Sequence, residues 1–588
     1  MGCSLMNNPN VRVNQLGYLP RSSKIAVVES SDKAPLDWQV IDAAGAIVAK
    51  GKTQVGGNDK ESGDDLHHVD FSEVTAPGKG YHVVVGGEQS FGFGIDARIY
   101  EPLEKAALNY FYQNRSGTPI EIPWAGQWQW THGPGHMSDI AVSCVNDCGY
   151  TLNVLGGWYD AGDHGKYVVS AGISVWTLLN LYERAQHLGG DLGALGDGTF
   201  NIPESKNGVS DLLDETRWEI ELLLKMQVPA GRDNSGMVHH KIHDSEWSTL
   251  GRVPPETWKE RYLHAPSTAA TLNLAANAAQ CARIWKEIDP ELAERCRLAA
   301  IRAWNAAQRF PAVYAPQYDN QGGGAYEDND VSDEFYWAAC ELYISLGSDE
   351  LLEFVRRSPH HLSFPKQTGH EHVEHYTSMT WQSTAALGAI SLAVVPNSLP
   401  DQNDVAKLRA LIVEAADSYL GLIAGQGYRT PIRVGSNGHY PWGSNSLVAN
   451  NAVVLGLAYD FTKREQYLTG VVRAADYLLG VNPLNFSYVS GFGENALENP
   501  HHRFWAHQKK SSFPHPPPGA LAGGPNSRLQ DPTSSRLAGC PPQRCYIDNV
   551  DAWSVNEVAI NWNAPLVWVA AFLDEKGAAE SPKLAAQP

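Results

Sequence analysis

Gly156-Gly157-Trp158-Tyr159-Asp160-Ala161-Gly162-Asp163-His164-Gly165-Lys166-Tyr167 places two aspartates three residues apart among glycines and aromatics. The residues that follow carry apolar side chains at three- and four-residue spacing, the period of a helix. That period recurs on both sides of the stretch. Segments near 101–113, 168–187, 209–227, 267–287, 290–309, 332–346, 348–357, 378–393, 403–424, 445–462, 464–480 and 554–573 all read as helices. Loops rich in Gly, Pro, His and Trp separate them, several longer than an ordinary connection. Twelve helices so joined suit six hairpins closed into an α/α barrel, with the loops carrying function. The proline-rich stretch 511–545 reads as a packed wall of an active site rather than a linker, since a helix must form again after it.

The first hundred residues follow a different rule. Val11–Asn14, Lys24–Val28, Trp38–Asp42, Ile47–Ala49, His67–Phe71 and Tyr81–Val85 are short alternating runs, with turn signals between them at roughly ten-residue spacing. This is the pattern of a small β-sandwich, ending near Phe93-Gly94-Ile95. The expected organisation is a sandwich over 9–97, a helical domain over 98–577 and a mobile tail over 578–588.

At 588 residues the chain exceeds one ordinary domain and can bury a large core. Its 43% apolar and 19% charged residues describe a soluble globular protein. No run approaches the length of a membrane span. A formal net charge of -20 argues against nucleic-acid binding, because nothing basic is clustered to neutralise phosphates. A neutral polysaccharide is compatible with it, and 18 Trp and 24 Tyr supply flat apolar faces that suit sugar rings as well as cores. Cys144/Cys148 and Cys540/Cys545 are either small disulfide loops of an exported protein or free thiols. Cys281, Cys296 and Cys340 fall in helical patterns as buried small hydrophobes. Met1-Gly2-Cys3-Ser4 shows no signal-peptide core, which leaves a cytoplasmic protein, a removed signal, or a lipid-anchor remnant at Cys3.

Near the other end stand Tyr546-Ile547-Asp548-Asn549, Asn556-Glu557 and Ile560-Asn561-Trp562-Asn563-Ala564-Pro565. Two carboxylates that activate a water, with a distant carboxylic acid to protonate a leaving group, are what inverting hydrolysis of a glycoside needs. Each residue also has a plainer reading. Asp160 and Asp163 precede a helix and suit N-caps. Glu557 suits the first turn of the last helix, where the dipole favours the carboxylate and opposes an acid's role. His501-His502 lacks a third ligand at metal spacing.

Taken together, these segments resemble glycoside hydrolase family 9. Gly157–Asp163 is similar to that family's aspartate motif, Ser487–Gly493 with Pro500–Arg503 to its histidine signature, and Tyr546–Ala564 to its carboxylate signature. Asp333–Ala338 and Tyr440–Asn445 also resemble family segments. The first domain resembles the immunoglobulin-like module that precedes many such catalytic domains, opening with Val11–Tyr18. The resemblance implies an (α/α)6 barrel that cleaves β-1,4-glucan with inversion. It makes Asp163 the base, Asp160 the second holder of the water and Glu557 the acid. His501 and Arg503 become sugar contacts, and Asp548 a residue orienting the base of the site. Tyr546, Trp442, Trp505 and Trp158 are candidate stacking platforms, weighed against core packing.

Many relatives with the module bind zinc through cysteines, a Cys-His pair and a histidine of the aspartate motif. Here those places hold Arg115-Ser116-Gly117, Gly135-His136 and Tyr159, so zinc is not expected. The tyrosine is also shared with a branch of both endoglucanases and cellodextrinases. No cofactor is required for the chemistry, while structural calcium is common in the family. Asp211, Asp214 and Glu215 form one acidic candidate, a solvated helix face being the plain alternative, and the loop Glu327-Asp328-Asn329-Asp330 forms a second. The leading expectation is a monomeric endo-β-1,4-glucanase acting on soluble or amorphous glucan, secreted, periplasmic or at the cell surface. The alternatives are an exo-acting cellodextrinase, β-glucosidase or glucosaminidase, with Trp124–Cys148 walling one end of the cleft, and a non-catalytic glycan-binding protein.

Overall fold

The structure, a computed structural model, describes residues 9–370 and 373–585. Ten strands build the first domain: β1 (Val11–Arg12), β2 (Gly17–Tyr18), β3 (Ile25–Glu29), β4 (Asp37–Ile41), β5 (Ile47–Lys52), β6 (Gln54–Asn58), β7 (Asp65–Asp70), β8 (Gly78–Val85), β9 (Glu88–Gln89) and β10 (Phe93–Ile95). They form one sheet in the order β1-β3-β7-β6 and a second in the order β2-β10-β8-β4-β5, with β9 on β8. Alternation drives the packing: in β4, Trp38 and Val40 turn inward while Asp37 and Gln39 face water. Tyr18 meets Phe71 and Phe93 edge-on at 5.2 and 5.3 Å, in the middle of this core.

The helical domain runs through α1 (Glu101–Gln113), α2 (Val168–Leu188), α3 (Asp211–Lys225), α4 (Thr268–Ile284), α5 (Pro290–Arg309), α6 (Ser332–Leu346) and α7 (Asp349–Arg357). It continues with α8 (Ala385–Val394), α9 (Gln402–Gly425), α10 (Ser444–Thr462), α11 (Glu465–Leu478), α12 (Trp553–Asn556) and α13 (Ile560–Ala585). Helices α2, α4, α8 and α10 are buried on nearly every side and form much of an inner ring. Helices α5 and α7 keep one polar face, as outer helices do. Helix α11 is covered more fully than an outer position predicts because the sandwich lies on it. Asn14 donates to Asp476, Arg473 to Ser23, and the Gln15 amide to the Leu479 carbonyl.

Three boundaries differ from the helical period. Helix α8 starts at Ala385 rather than near 378, since Thr380 and Ser383 pair across a turn and Thr384 N–H is held by Asp333 at 2.6 Å. The last segment splits: α12 stops at Asn556, Glu557 is extended (φ -70°, ψ 162°), and α13 begins at Ile560. Glu557 leaves the helix because its carbonyl accepts from Gly523 N–H and its backbone pairs with His501. Finally, α13 runs through Ala585, so the segment expected as a tail from 578 is helical up to that residue. Residues 586–588 and Cys3 lie outside the described residues.

Candidate active site

A cleft of about 600 Å³ opens at one end of the barrel. Asp160, Asp163, Glu557, His501 and Arg503 line it together, with Trp442. Trp247, Trp381, Trp553, Trp562 and Tyr326 complete an aromatic floor and rim.

The two aspartates occupy the tight turn ahead of α2. Asp160 N–H donates to the Gly165 carbonyl at 3.0 Å, and Gly165 N–H donates back to Asp163 Oδ2 at 3.0 Å. Tyr167 Oη donates to the same Asp163 oxygen at 2.9 Å and itself accepts from Gly324 N–H at 3.0 Å. Tyr326 Oη donates to Asp160 Oδ2 at 2.6 Å, while Asp160 Oδ1 is buried without a hydrogen-bond partner. Burial and then the neighbouring Asp163 push the Asp160 carboxyl up to about 7, against the Tyr326 hydrogen bond that favours its charge. The turn needs Gly162. A Cβ there would stand 2.0 Å from the His501 carbonyl oxygen. That close approach lets Arg503 N–H reach the Gly162 carbonyl at 2.9 Å and sets the histidine strand against the aspartate turn.

Glu557 arrives from the far end of the chain on that same strand pairing. His501 N–H donates to the Asn556 carbonyl at 2.9 Å, and Ile560 N–H donates to the Asp160 carbonyl at 2.8 Å. Enclosure in the cleft wall, then Asp163, hold the Glu557 carboxyl well above the usual range. Arg503 pulls the other way and does not prevail. Because Glu557 stands outside the helix, the dipole of a first-turn position does not act on it as the sequence had implied. His501 Nδ1–H donates to the Val550 carbonyl at 2.7 Å, leaving Nε2 to accept from Arg503 Nη1 at 3.0 Å. Burial and Arg503 lower this imidazole to about 3, so it is neutral.

Four sequence candidates stand outside the cleft. Trp158 is buried with its indole N–H on Glu215 and its amide on Glu219. Trp505 is buried and stacks on His502 at 3.9 Å. Tyr546 is buried and donates to Asn556 Oδ1 at 2.6 Å. Asp548 accepts from the amides of Glu498 and Asn499 and from Asn556 Nδ2. None of the four offers a face or a polar atom to substrate; Asp548 and Tyr546 fix Asn556 and so the backbone that presents Glu557. The platforms missed in the sequence come from separate loops. Tyr326 follows the run Gly322-Gly323-Gly324, a signal of close backbone approach, but nothing local marks Trp381 or Trp247.

Neither expected wall lines the cleft. The segment 511–545 lies one layer back, where Gly523 N–H holds the Glu557 carbonyl and Gly523 O receives Asn445 N–H. Trp124–Cys148 packs behind the Arg503 side, through Trp130 on the His515 carbonyl and Asp139 on Arg261. Both candidate cysteine pairs are disulfides, Cys144–Cys148 and Cys540–Cys545.

The acidic candidates separate on their partners. Glu215 is taken by Arg115, which it meets with both oxygens, Asp211 holds Phe200 N–H and Asp214 holds Asn207. Asp211 Oδ1 is buried without a hydrogen-bond partner, while both Glu215 oxygens are engaged. At the second loop, both Glu334 oxygens and Asp328 Oδ2 are buried without hydrogen-bond partners, beside Asp333. Two carboxylates with orphaned oxygens, beside a third that holds Thr384 N–H, are oxygen donors of the kind a hard cation takes. The family's zinc positions do not fit zinc. Tyr159 Oη sits 2.6 Å from His136 Nδ1 and occupies the nitrogen a metal would need, and Ser116 stands where a thiolate is required.

A sandwich followed by a helical barrel, with paired aspartates and a glutamate of raised pKa in an aromatic cleft, defines an inverting glycoside hydrolase. Comparison with known proteins agrees. Residues 100–570 match the family described as "Glycosyl hydrolase family 9", and residues 6–90 match "Cellulase N-terminal ig-like domain". The chain belongs to glycosyl hydrolase family 9. It is 48% identical to the "Cellulose 1,4-beta-cellobiosidase" of Acetivibrio thermocellus, over 97% of this chain and 68% of that protein. It is 46% identical to "Endoglucanase C" of Cellulomonas fimi, over 99% of this chain and 53% of that protein. The solved structure described as "AaCel9A in complex with cellobiose-like isofagomine" superposes with a TM-score of 0.84, at 29% identity, covering 96% of this chain and all of the other.

Proposed function

We propose that the protein is an endo-β-1,4-glucanase that hydrolyses soluble or amorphous glucan with inversion. A single observation carries the reading: two aspartates share a cleft, whose other faces are aromatic, with one glutamate whose carboxyl burial and Asp163 hold well above the usual range. A glucan chain lies along Trp247, Trp381, Trp442, Trp553 and Trp562, ring faces against indoles. Asp163, oriented by Tyr167 and Gly165, takes the proton of a water that Asp160 holds from the other side. The oxygen of that water bonds to the anomeric carbon as the glycosidic C–O bond breaks, and Glu557 delivers its proton to the leaving oxygen. His501 and Arg503 hold hydroxyls of the sugar at the point of cleavage. Internal attack is favoured by 46% identity to a protein called Endoglucanase C.

Exo-action is the second reading, favoured by 48% identity to a protein called a cellobiosidase. Viscosity measured against new reducing ends on carboxymethylated β-glucan separates the two. A steep viscosity loss at few new ends is expected, and new ends without viscosity loss would establish chain-end attack. Calcium at Asp328, Asp333 and Glu334 is proposed as a structural ion that ties the start of α6 to the loop before it. Export is proposed on the two disulfides, which persist in oxidising compartments. Among the described residues, no helix is long and apolar enough to cross a membrane.

A further inference from the structure

The geometry points to a second metal site, for a zinc-class divalent cation, at His243, His264 and Asp319. His243 lies on the strand Lys241–Asp244, which pairs antiparallel with Arg261–Leu263, and His264 follows that second strand directly. The two imidazoles lie close together, with centroids 4.0 Å apart and ring planes tilted by 33°. The Asp319 carboxylate approaches from the loop ahead of Gly322, its Oδ2 2.7 Å from His264 Nδ1. One ligand atom from each residue falls within 4.8 Å of the others.

His243 supplies the independent sign of a ligand. Its Nδ1–H donates to the Asp244 carbonyl at 2.8 Å, which fixes the tautomer and leaves the lone pair on Nε2. That nitrogen is buried, in a residue only 1% exposed, and has no hydrogen-bond partner. A buried acceptor left unpartnered is costly unless something occupies it. The Nδ1–H bond to a carbonyl is also the arrangement by which metal-binding histidines are oriented.

Two imidazoles and one carboxylate favour zinc, copper or nickel over calcium and magnesium, which take oxygen. Lys241 limits affinity, since its ammonium stands 3.6 Å from Asp319 Oδ2, but it is also engaged by the carbonyls of Asp319 and Gly324. The site touches the catalytic turn. A Cβ on Gly323 would fall 2.3 Å from His243 Cδ2, so the loop lies flat on this ring, and its next residue, Gly324, donates to Tyr167. A bound cation would pin the loop that holds Tyr167 on Asp163.

The test titrates Zn2+ into the full chain after EDTA dialysis, by calorimetry, with Ca2+ as the contrasting ion. The variants are Asp319→Asn, on the partly exposed loop, and His243→Gln. Zinc binding with a rise in Tm is expected for the natural sequence, weakened at least about 10-fold by D319N. Co2+ should give the visible absorption of a tetrahedral nitrogen–oxygen site, lost in H243Q. Zinc stoichiometry and affinity unchanged in D319N, or no zinc binding at all, would overturn the assignment. Should H243Q fail to fold, the cobalt spectrum of the natural sequence against D319N decides the question alone.

Discussion

The two sides of the catalytic cleft are built by opposite means. The aspartate side is held by side chains, with Tyr326 on Asp160 and Tyr167 on Asp163, both phenols brought by the segment around Gly324 and the start of α2. The glutamate side is held by backbone, with His501, Gly523 and the extended Glu557 in a short ladder. A base must have its lone pair aimed and its charge supported, which hydroxyl donors do. An acid must keep its proton, so its support comes through peptide groups that position the residue while the wall restricts its hydration.

The sharpest way to break this contrast is to neutralise each side. Glu557→Gln and Asp163→Asn should each lower kcat by about 10²–10⁴-fold or more, with Tm nearly unchanged. Reducing-sugar assays with calorimetry check this, and near-normal turnover in either variant would remove that residue from the mechanism. Removing one phenol tests the side-chain support. Tyr326→Phe leaves Asp160 short of a donor that favours its charge, so the Asp160 pKa rises further above about 7. The limb of the kcat/KM profile assigned to Asp160 should move to higher pH, with a loss of about 10–100-fold below that limb.

Stability should read out the same carboxyl. The native state binds the Asp160 proton more tightly than the unfolded chain does, since its pKa is raised from 3.8 to about 7. Its stabilising contribution is complete below about pH 4 and is lost as pH rises through about 7. The Tm of Asp160→Asn should therefore gain on that of the natural sequence across this window, and a flat difference would count against a buried, protonating Asp160. The smallest effect is expected at the cation loop: EDTA should lower Tm by a few degrees, and Glu334→Gln should remove that response.

How much of this was legible in the sequence depended on how local each cause is. Helical period and strand alternation are local, and they placed α1, α2, α5 and α6 almost to the residue. The end of α12 was not local. Glu557 leaves the helix because Gly523 and His501, distant in sequence, capture its backbone. The carboxylates were readable because chemistry restricts them to a few residue types. The platforms were not, because any tryptophan can serve. Trp158 and Trp505 sit within or beside the sequence signatures and face the core, while Trp381 and Trp247 sit in unmarked loops and face the cleft. Nor does acidity alone mark a cation site, since Arg115 decides the fate of Glu215 and the absence of such a partner decides that of Glu334.

The hydrogen bond from Ile560 to the Asp160 carbonyl also sets a clock. A ribosome delivers the aspartate turn long before the helix that closes the ring, and domains take shape from the N-terminus as they emerge. Until α13 docks on α1, α2 and α10, the growing chain carries the aspartate turn without Glu557 in place beside it. The cleft is therefore incomplete until the segment from Glu557 through α13 has been made and has docked.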